Sequence, residues 1–471
     1  MLKLYYDSSL CAAPLNLIFT GVIIVMKLKR IISGMTGAVI AASVAGMLPV
    51  SAIERLDGMG EMKIDPNPVI SRDVPAYSKE GNKTASKGND ENYSSFWEGK
   101  SEDYLAYDLS AVPADQRKIV DAVWYTTNTY DNLGEWVTKV NEPTSYVIEV
   151  NDAEGGQYPE NDWKEAVTVE DNVLSSRQHL IDFEGYNWIR FRLVTADGKE
   201  DVNCKINFDI HDASNGLNDS WLFIGDSITA GGMGNSLTAS SYATFISGFD
   251  NRYFPIQENA GIGGLTSKDG KKNIDRWLET YPGKYVSLAY GTNDAWGGLG
   301  ENNYYNNTVY MVNAVIEAGK IPVLPTIPYS TNNDVLKNLD KYNAKIQQIY
   351  EEYPQVDKGP DFFSIIKEDT SILGGDGVHP NSKGYEKMRR VWAETMFETV
   401  YGGKILVLGD INDDGKVDTK DAMLAIAYAK KAQAPKDKAQ FMRADVNSDG
   451  ELATKDAMLI IAAAKKKITF Q

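Results

Sequence analysis

The sequence is short of cysteine, histidine and positive charge. Its 471 residues include two cysteines and three histidines, and 48 Lys and Arg residues face 65 Asp and Glu, a net charge of −17. That charge argues against nucleic acids and anionic membranes as partners. Because Cys11 lies in a predicted leader, Cys204 would stand alone in the mature chain, which excludes an intramolecular disulfide. No H-E-x-x-H pattern is present, and the histidines are too few for a zinc site.

The first 52 residues carry a pattern typical of secreted proteins. Residues 26–30 are basic, residues 31–48 are apolar and small, and residues 50–52 (Val-Ser-Ala) form an A-x-A-like cleavage site. This order predicts a signal peptide over residues 26–52. Residues 1–25 are then predicted to be an upstream artefact of start-site choice. A retained membrane anchor is the alternative interpretation.

The mature chain is long enough for about three domains. Residues 53–95 are polar and poor in aliphatic side chains, which predicts a flexible lead-in. Over residues 96–215 apolar and polar side chains alternate, as at Ile189, Phe191 and Leu193, which predicts an N-terminal, jelly-roll-like β-sandwich with one face of each strand buried. Its tryptophans could stack on sugars, although core filling is the simpler interpretation. They are Trp97, Trp124, Trp136, Trp163 and Trp188.

Residues 216–402 have a different pattern, in which short apolar strands alternate with helical stretches at about 304–319, 333–353 and 382–400. This alternation predicts an α/β domain with a flavodoxin-like parallel sheet and helices on both faces. In such a sheet the reactive groups belong at the carboxyl ends of the strands.

One candidate nucleophile follows the first of these strands. Residues 225–229 read Gly-Asp-Ser-Ile-Thr, and Ser227 needs an adjacent base because a serine hydroxyl is unreactive at its own pKa. His379 is the only histidine in residues 216–402. Asp376 lies three residues before it, so one tight loop could hold the carboxylate against the imidazole. The alternative is that His379 only caps its loop.

These segments resemble the SGNH/GDSL hydrolase family. Four blocks occur in the family's order, at residues 225–229, 259–264, 291–294 and 376–379. The resemblance implies acyl transfer without a catalytic cofactor, with the oxyanion bound partly by backbone N–H groups. The implied catalytic residues are Ser227 as nucleophile, His379 as base, Asp376 as its orienting carboxylate, and Gly264 and Asn293 as oxyanion donors. A sandwich ahead of such a domain is also similar to the acetylesterases of carbohydrate esterase family 2.

The end of the chain contains one twelve-residue loop twice, starting 35 residues apart at Asp410 and Asp445. Each loop has glycine at its sixth position and oxygen-bearing residues at the spacing that an EF-hand uses for calcium. An acidic turn beside a helix is the alternative. The predicted ligands of the first loop are Asp410, Asn412, Asp414, the Lys416 carbonyl, Asp418 and Asp421. Those of the second are Asp445, Asn447, Asp449, the Glu451 carbonyl and Asp456. The ninth position of the second loop is Ala453, which predicts a weaker site.

This repeat resembles the type I dockerin of cellulosomal enzymes and covers residues 405–471. The resemblance implies a small all-α domain that binds two structural Ca²⁺ ions and docks on a cohesin module of a scaffoldin. Because the two halves read nearly alike, we expect two docking orientations related by about a half-turn. The implied contacts are Thr419, Lys420, Ile426, Ala427 and Lys431 in the first half, and Thr454, Lys455, Ile461, Ala462 and Lys466 in the second.

Together these patterns predict a secreted, extracellular serine esterase that removes O-acetyl groups from plant cell-wall polysaccharide. Trp296, which follows the third block, is expected to border the acyl or sugar pocket. Two alternatives stay open: a feruloyl or other short-chain carboxylesterase on the same fold, or an inactive carbohydrate-binding protein.

Overall fold

The computed structural model describes residues 62–126, 141–197, 199, 202–234, 241–436, 438–447 and 451–468. Several predictions fall outside these residues. They are the signal peptide over residues 26–52, the artefact over residues 1–25, Trp136, and the predicted calcium ligand Asp449 with its neighbour Gly450. Among the described residues, no helix combines the length and apolar character needed to cross a membrane.

The first part of the chain, residues 62–219, forms two antiparallel sheets and is called the two-sheet region. One sheet has the order β1-β3-β8-β5-β6 and the other β2-β9-β4-β7. The strands are β1 (Ala76–Ser78), β2 (Trp97–Gly99), β3 (Tyr104–Asp108), β4 (Ile119–Tyr125), β5 (Pro143–Asn151), β6 (Lys164–Val169), β7 (Ser176–Asp182), β8 (Trp188–Ala196) and β9 (Cys204–Asp212).

Side chains from both sheets meet in one hydrophobic cluster. Phe191 on β8 lies 5.8 Å, centroid to centroid, from Phe208 on β9, and Trp124 on β4 lies 5.7 Å from Tyr146 on β5. The predicted alternation places Phe191 in this cluster and its neighbour Arg190 on the opposite face of β8, where Arg190 pairs with Glu149 at 2.6 Å. Aromatic pairs of this kind contribute about 0.5–1.5 kcal/mol each beyond their buried area.

The polar face of β9 is buried as well, which differs from the prediction of one buried face. Asn207, Asp209 and His211 alternate with the core residues and are at most 3% exposed. The Tyr93 hydroxyl donates to the Asp209 carboxylate, and His211 Nδ1 lies 2.8 Å from the Asn67 carbonyl oxygen. Segments that precede the predicted sandwich in the sequence therefore cover this face.

The prediction of a flexible lead-in over residues 53–95 is wrong for the part that the structure describes. Strand β1 pairs with β3, and Ile70 N donates to Ile210 O at 2.7 Å. The Asn67 side chain donates to the carbonyl oxygens of Asp212 and Gly216, both at 2.8 Å. A polar composition predicts disorder because it offers little apolar surface to bury. Here the polar side chains instead satisfy buried backbone groups of neighbouring strands, which ordinary composition cannot reveal.

The second part, residues 220–403, is called the parallel-sheet region. Its five strands are parallel in the order β11-β10-β12-β13-β14. The strands are β10 (Ser220–Gly225), β11 (Ile256–Gly261), β12 (Tyr285–Ala289), β13 (Ile321–Leu324) and β14 (Asp357–Lys358). The helices are α1 (Ser227–Gly232), α2 (Tyr242–Phe249), α3 (Ser267–Thr280), α4 (Thr292–Gly297), α5 (Glu301–Glu317), α6 (Asn333–Glu352), α7 (Phe362–Glu368) and α8 (Ser382–Thr399).

Both faces of this sheet are covered, as the alternating pattern predicts. Trp221 and Phe223 on β10 pack in one hydrophobic cluster with residues of α2 and α8. Leu222 and Ile224 point to the other face and pack with residues of α3 and α5. The three helices predicted at 304–319, 333–353 and 382–400 correspond to α5, α6 and α8.

Buried polar contacts join the two-sheet and parallel-sheet regions. Glu258 on β11 accepts from Gln178 Nε2 at 2.5 Å and from Ser176 Oγ at 3.3 Å, and both donors lie on β7. Burial raises the pKa of Glu258 to about 7. A backbone contact also joins the two regions. Lys63 N donates to Tyr401 O at 2.7 Å, so the start of the described chain meets the end of the parallel-sheet region.

The last part, residues 405–468, is called the C-terminal helical region. Its helices are α9 (Thr419–Ala429), α10 (Lys438–Ala444) and α11 (Thr454–Ala464). The repeated helices α9 and α11 pack around a separate small cluster that includes Ile411, Ala425, Tyr428 and Ile460. This region follows the parallel-sheet region directly after Gly403.

Candidate active site

Ser227 begins helix α1 at the carboxyl end of strand β10, which lies between β11 and β12 in the sheet. Asp226 caps this helix, and its side chain accepts from Ile228 N at 2.9 Å. Gly225 allows the turn to be tight, because a Cβ atom there would lie 2.1 Å from Thr229 Oγ1 and 2.8 Å from Ala289 O. The strand-to-helix turn therefore presents the Ser227 hydroxyl at the edge of the sheet where parallel strands end.

His379 and Asp376 lie in the loop before α8 and complete a chain of hydrogen bonds with Ser227. Ser227 Oγ lies 2.7 Å from His379 Nε2, and His379 Nδ1 lies 2.6 Å from Asp376 Oδ2. The other oxygen of Asp376 accepts from the backbone N–H groups of Val378 and His379, both at 3.0 Å. The carboxylate thus fixes the imidazole with its proton on Nδ1, which leaves Nε2 free to accept the serine proton.

The hydrogen bond from His379, aided by the backbone donors, lowers the pKa of Asp376 to about 2. Asp376 is 45% exposed, so water also solvates its charge. The carboxylate is therefore ionised over the whole range of pH in which an imidazole can act as a base.

The second and third sequence blocks lie next to Ser227. Ile262 N donates to Gly225 O at 3.0 Å, and a Cβ atom on Gly263 would lie 3.9 Å from Ser227 Cβ. Gly264 follows with φ of +78°, a conformation that suits glycine, and its backbone is exposed. Asn293, in helix α4, donates from Nδ2 to Leu265 O at 2.8 Å. An amide nitrogen has two N–H donors, so this bond orients Asn293 and leaves one donor available.

Two buried carboxylates lie below the site and do not contact Ser227 or His379 through a hydrogen bond. Asp294 accepts from Ser267 N at 2.9 Å and from the Ser267 hydroxyl, which ties the start of α3 to α4. Burial and the nearby charge of Asp294 raise the pKa of Asp226 to about 7. Both acids brace loops. Sequence reasoning missed Ser267, which has no motif of its own; the residue that caps α3 is its neighbour Thr266.

A cavity of about 30 Å³ lies beneath the Ser227 turn, between helices α1 and α8. Asp226, Thr229, Thr292, Thr326 and Trp392 are among its lining residues. A volume of this size holds one or two water molecules and no acyl group. A substrate must therefore approach Ser227 from the solvent side, where His379 and Gly264 are accessible. Trp296 is 43% exposed and follows Asn293 by three residues.

The tryptophans of the two-sheet region are mostly core residues. Trp97, Trp124 and Trp188 have no exposed surface. Trp163 is half-buried under Arg190, whose Cζ lies 4.2 Å from the ring centroid. A sugar needs an open ring face, so the three fully buried rings cannot serve as a carbohydrate platform.

The first calcium loop holds two buried carboxylates, Asp410 and Asp421, which are 1% and 0% exposed. Asp410 accepts from Gly415 N at 2.8 Å, and Asp421 accepts from Asn412 N at 3.0 Å and from Asp418 N at 2.9 Å. Within the described residues neither carboxylate forms an ion pair with a basic side chain. This suits a loop in which a bound metal ion supplies the positive charge. Its donors are hard oxygens, and Gly415 has the φ of +82° that a sharp turn requires.

Among all the residues that the structure describes, no group of three or more His, Cys, Asp or Glu side chains converges on one point. Asp414 instead pairs with Lys420 at 3.0 Å. The predicted ligands thus share a loop, and the Lys416 carbonyl lies within it, but the side chains are held by backbone donors and by this lysine.

The second loop differs from the first at its ninth position. Asp418 caps α9 by accepting from Lys420 N at 2.7 Å, whereas Ala453 before α11 has no acceptor. Asp456 takes the place of Asp421 and accepts from Ala453 N at 3.0 Å and Asn447 N at 3.4 Å. Asp445 is buried and Glu451 is exposed in this loop.

The predicted docking residues occupy equivalent places in the two halves. Lys431 and Lys466 both adopt left-handed φ values, +55° and +54°, directly after their helices. Sequence reasoning missed Met423 and Met458, which are 67% and 66% exposed. Their helical spacing of four from Thr419 and Thr454 could have revealed them. Thr419, Lys420, Thr454, Lys455 and Lys466 are exposed, and Ile426, Ala427, Ile461 and Ala462 are half-buried.

Comparison with known proteins identifies two domains. Residues 223–387 match the GDSL-like Lipase/Acylhydrolase family, and residues 408–463 match the dockerin type I domain. The chain therefore carries a GDSL-type hydrolase domain and a type I dockerin. A type I dockerin is a calcium-binding domain that implies a cohesin partner and association with a cellulosome.

Several relatives share part of this chain. A multidomain esterase of Ruminococcus flavefaciens is 28% identical over 173 residues, which are 31% of this chain and 22% of that protein. The chain thus spans about a fifth of the length of this curated relative. An acetylxylan esterase structure from Geobacillus stearothermophilus is 23% identical, with a TM-score of 0.32, and covers 38% of this chain and 93% of that one. A psychrotrophic esterase from Pseudoalteromonas sp. is 20% identical, with a TM-score of 0.33, and covers 39% and 97%.

Proposed function

We propose that this chain, with its GDSL-type hydrolase domain and type I dockerin, is a secreted carbohydrate O-acetylesterase that works on plant cell-wall polysaccharide while docked to a scaffoldin. The observation that carries the proposal is the chain of hydrogen bonds from Ser227 Oγ through His379 to Asp376, at 2.7 and 2.6 Å. A nucleophile, its base and an orienting carboxylate within hydrogen-bond reach are the requirements for nucleophilic acyl transfer.

The reaction would begin with attack of Ser227 Oγ on the ester carbonyl carbon as His379 Nε2 takes the serine proton. Asp376 keeps the imidazole oriented and stabilises the imidazolium. The tetrahedral oxyanion would accept hydrogen bonds from the backbone N–H groups of Ser227 and Gly264 and from the remaining Asn293 N–H donor. When the intermediate collapses, the sugar alkoxide leaves with the proton from His379. Water then attacks the acetyl-enzyme with His379 again as base, and releases acetate and free Ser227.

The substrate assignment is supported by the dockerin and by the shape of the site. A cellulosome-bound esterase would meet the esters of cell-wall polysaccharide, chiefly O-acetyl groups, and the matched relative is itself named a multidomain esterase. Ser227 is half-buried, but its partners His379 and Asp376 are 38% and 45% exposed, which suits a polymer that must present its side groups from outside. Trp296 would lie beside the bound sugar or acyl group.

We infer further that the chain divides into a jelly-roll-like β-sandwich, a hydrolase domain over residues 216–402 and a dockerin over residues 405–471. The contacts between Glu258 and strand β7 support a sandwich that holds the edge of the catalytic sheet. The dockerin would bind two calcium ions. The first would be held by oxygens of the loop from Asp410 to Asp421, and the second by the loop from Asp445 to Asp456.

The docking faces would be the two symmetric helix surfaces. Thr419, Lys420 and Lys431 would contact a cohesin in one orientation, and Thr454, Lys455 and Lys466 in the other. The equivalent exposure of the two sets and the matching left-handed conformations after α9 and α11 support this arrangement.

The test is acetate release from acetylated xylan, acetylated glucomannan and acetylated pectin by the full chain and by its Ser227→Ala variant. We expect release by the wild type only. Cleavage of feruloyl or longer acyl esters without acetate release would move the substrate to the alternative esterase. No hydrolysis of any ester would contradict the enzymatic function and favour the carbohydrate-binding protein.

A further inference from the structure

A groove of about 720 Å³ lies on the surface between helices α3 and α5. Three lysines line its α3 side at helical spacing, and two asparagines and a tyrosine line its α5 side. We call it the basic groove. Its defining residues are Lys268, Lys271, Lys272, Asn303, Asn307 and Tyr310.

The basic groove begins beside the oxyanion side of the active site. Helix α3 starts two residues after Leu265, whose carbonyl accepts from Asn293. Helix α5 follows α4, which contains Asn293, after a three-residue turn. Asn307 Nδ2 donates to Ser267 Oγ at 3.1 Å and holds the two walls together. Gly270 lets them pack closely, because a Cβ atom there would lie 2.8 Å from Met311 Sδ.

The three lysines lack acidic partners. Within the described residues, no carboxylate lies within 4.0 Å of the ammonium group of Lys268, Lys271 or Lys272. Lys271 Nζ instead lies 4.8 Å from the centroid of the exposed Tyr310 ring, across the groove. Lys268 and Lys272 repel each other at i,i+4 spacing, and Lys268 adds a positive charge in the first turn of α3, where the helix dipole disfavours it. Both effects destabilise the helix, and a bound anion would offset them.

The positive charge is concentrated at the end of the groove nearest the active site. Asp269 also lines the groove, but its carboxylate caps α3 by accepting from Thr266 N at 2.9 Å. Asp275 lines the far end, beyond which the surface turns acidic at Glu279 and Glu317. An anionic group on a substrate would therefore settle next to the reacting ester rather than at the far end.

We propose that the basic groove is a subsite for a uronic-acid residue of the polysaccharide whose ester is cleaved at Ser227. This inference rests on the proposed function and makes it more specific, since it selects carboxylate-bearing glycans over neutral ones. Lys271 and Lys272 would bind the uronate carboxylate, the Asn303 amide would bind a hydroxyl group, and Tyr310 would offer a ring edge to the sugar. The local charge would also overcome the repulsion between a polyuronate and a protein of net charge −17.

The test compares Lys271→Ala/Lys272→Ala with a matched control, Lys83→Ala/Lys87→Ala. The control also removes two exposed lysines, but from the two-sheet region, where they lie four residues apart. On acetylated polygalacturonate we expect the first variant to raise KM about fivefold with kcat unchanged, because exposed charge pairs contribute modestly each. On acetylated glucomannan and on 4-nitrophenyl acetate, and for the control on all three, we expect no change. Lys271→Arg/Lys272→Arg should restore the wild-type KM, and added salt should abolish the difference.

Binding of unacetylated polygalacturonate oligomers to the full-length Ser227→Ala chain separates this inference from the proposed function. Tighter binding of these oligomers than of neutral mannan oligomers, lost on adding Lys271→Ala/Lys272→Ala, would support the subsite even if no ester were hydrolysed. Equal binding of charged and neutral oligomers, or equal losses of activity on both acetylated substrates, would overturn it. Absence of ester hydrolysis by the wild type would overturn only the proposed function.

Discussion

In the hydrolase domain, Asp376 is half-exposed, and its two oxygens are fully engaged by His379 and by backbone N–H groups of its own loop. In the first dockerin loop, Asp410 and Asp421 are buried, and their hydrogen-bond partners among the described residues are backbone N–H groups. The first arrangement is complete without any added ion. The second brings two negative charges into a small domain and leaves their neutralisation to a cation. Carboxylates of one chain are thus prepared for different purposes by what surrounds them.

Removal of the proposed catalytic base, His379, should distinguish the hydrolase domain from the dockerin most clearly. We expect His379→Ala to lower kcat on 4-nitrophenyl acetate by about 10⁴–10⁶-fold, because Ser227 then lacks a proton acceptor. Binding of calcium and of a cohesin should be unchanged. Steady-state kinetics and calorimetry check the two halves of this statement, and a loss below tenfold would show that another group acts as base.

Calcium removal should have the opposite pattern. After treatment with EDTA we expect the full chain to lose cohesin binding, because the buried carboxylates of the dockerin then repel one another. The kcat of ester hydrolysis should stay within twofold, since Ser227, His379 and Asp376 are held by one another. Added calcium should restore docking. Docking that persists at picomolar free calcium would contradict the role given to the two loops.

Asn293→Ala tests whether the hydrolase site is as complete as its hydrogen bonds suggest. Loss of one oxyanion donor should reduce kcat by about 10²–10³-fold with little change in KM. Asn303→Ala, on the neighbouring helix, is the control. With a small ester as substrate, we expect it to leave kcat unchanged. A proportional rise in KM without a fall in kcat would assign Asn293 to substrate binding instead.

The two loops of the dockerin can be exchanged at their one unequal position. Asp418→Ala removes an oxygen that could bind calcium and also the N-cap side chain of α9. Loss of an N-cap costs about 1 kcal/mol of stability. We expect calcium affinity of the first loop to fall about tenfold, and Ala453→Asp to raise that of the second by several-fold. Titration calorimetry should then show the two binding steps of the wild type approach each other in Ala453→Asp. Separation of the steps in that variant would argue against the weaker-site assignment.

The smallest effect concerns pH and the buried Asp226. Its folded-state pKa of about 7 exceeds the ordinary value of 3.8, so the folded protein keeps this proton while the unfolded chain loses it. The resulting stability is fully present below about pH 4 and is lost as pH rises through 7. Asp226→Asn keeps the oxygen that accepts from Ile228 N and cannot ionise. We expect its unfolding temperature to gain on the order of 5 °C over wild type at pH 8 and much less at pH 5. An equal difference at both values would contradict the assignment.

The parts that could be predicted from the sequence are those fixed by local rules. Ser227 follows a buried strand, and parallel strands end at one edge, so its meeting with a loop after a later strand was foreseeable. The spacing of three between Asp376 and His379 likewise anticipates their hydrogen bond. The two dockerin loops are foreseeable because each lies within twelve residues, whereas their individual calcium ligands stay predictions.

The parts that could not be predicted depend on contacts between distant segments. The sequence around Asn67 does not distinguish a polar lead-in from a packed segment. In the structure the Asn67 side-chain amide donates to backbone carbonyl oxygens at the end of β9 and in the turn after it. The alternation in β9 predicts that Asp209 faces solvent. In the structure Tyr93 covers it, and the Tyr93 hydroxyl donates to its carboxylate. The groove beside α3 was missed for the same reason, because Lys271 and Tyr310 are separated by almost forty residues and meet only when two helices pack.

The hydrogen bond between Lys63 and Tyr401 places the beginning of the described chain beside the point where the dockerin is attached. Tyr401 is itself held from inside, since its hydroxyl donates to Asp219 and its ring stacks on Trp221 at 6.2 Å. With the proposed function, the enzyme would bind an insoluble wall while anchored to a scaffold and would be under mechanical load. A pull on the dockerin would reach the protein at this fastened joint, not at a loose strand end, so the tension would be spread across the core before it could disturb the catalytic loop.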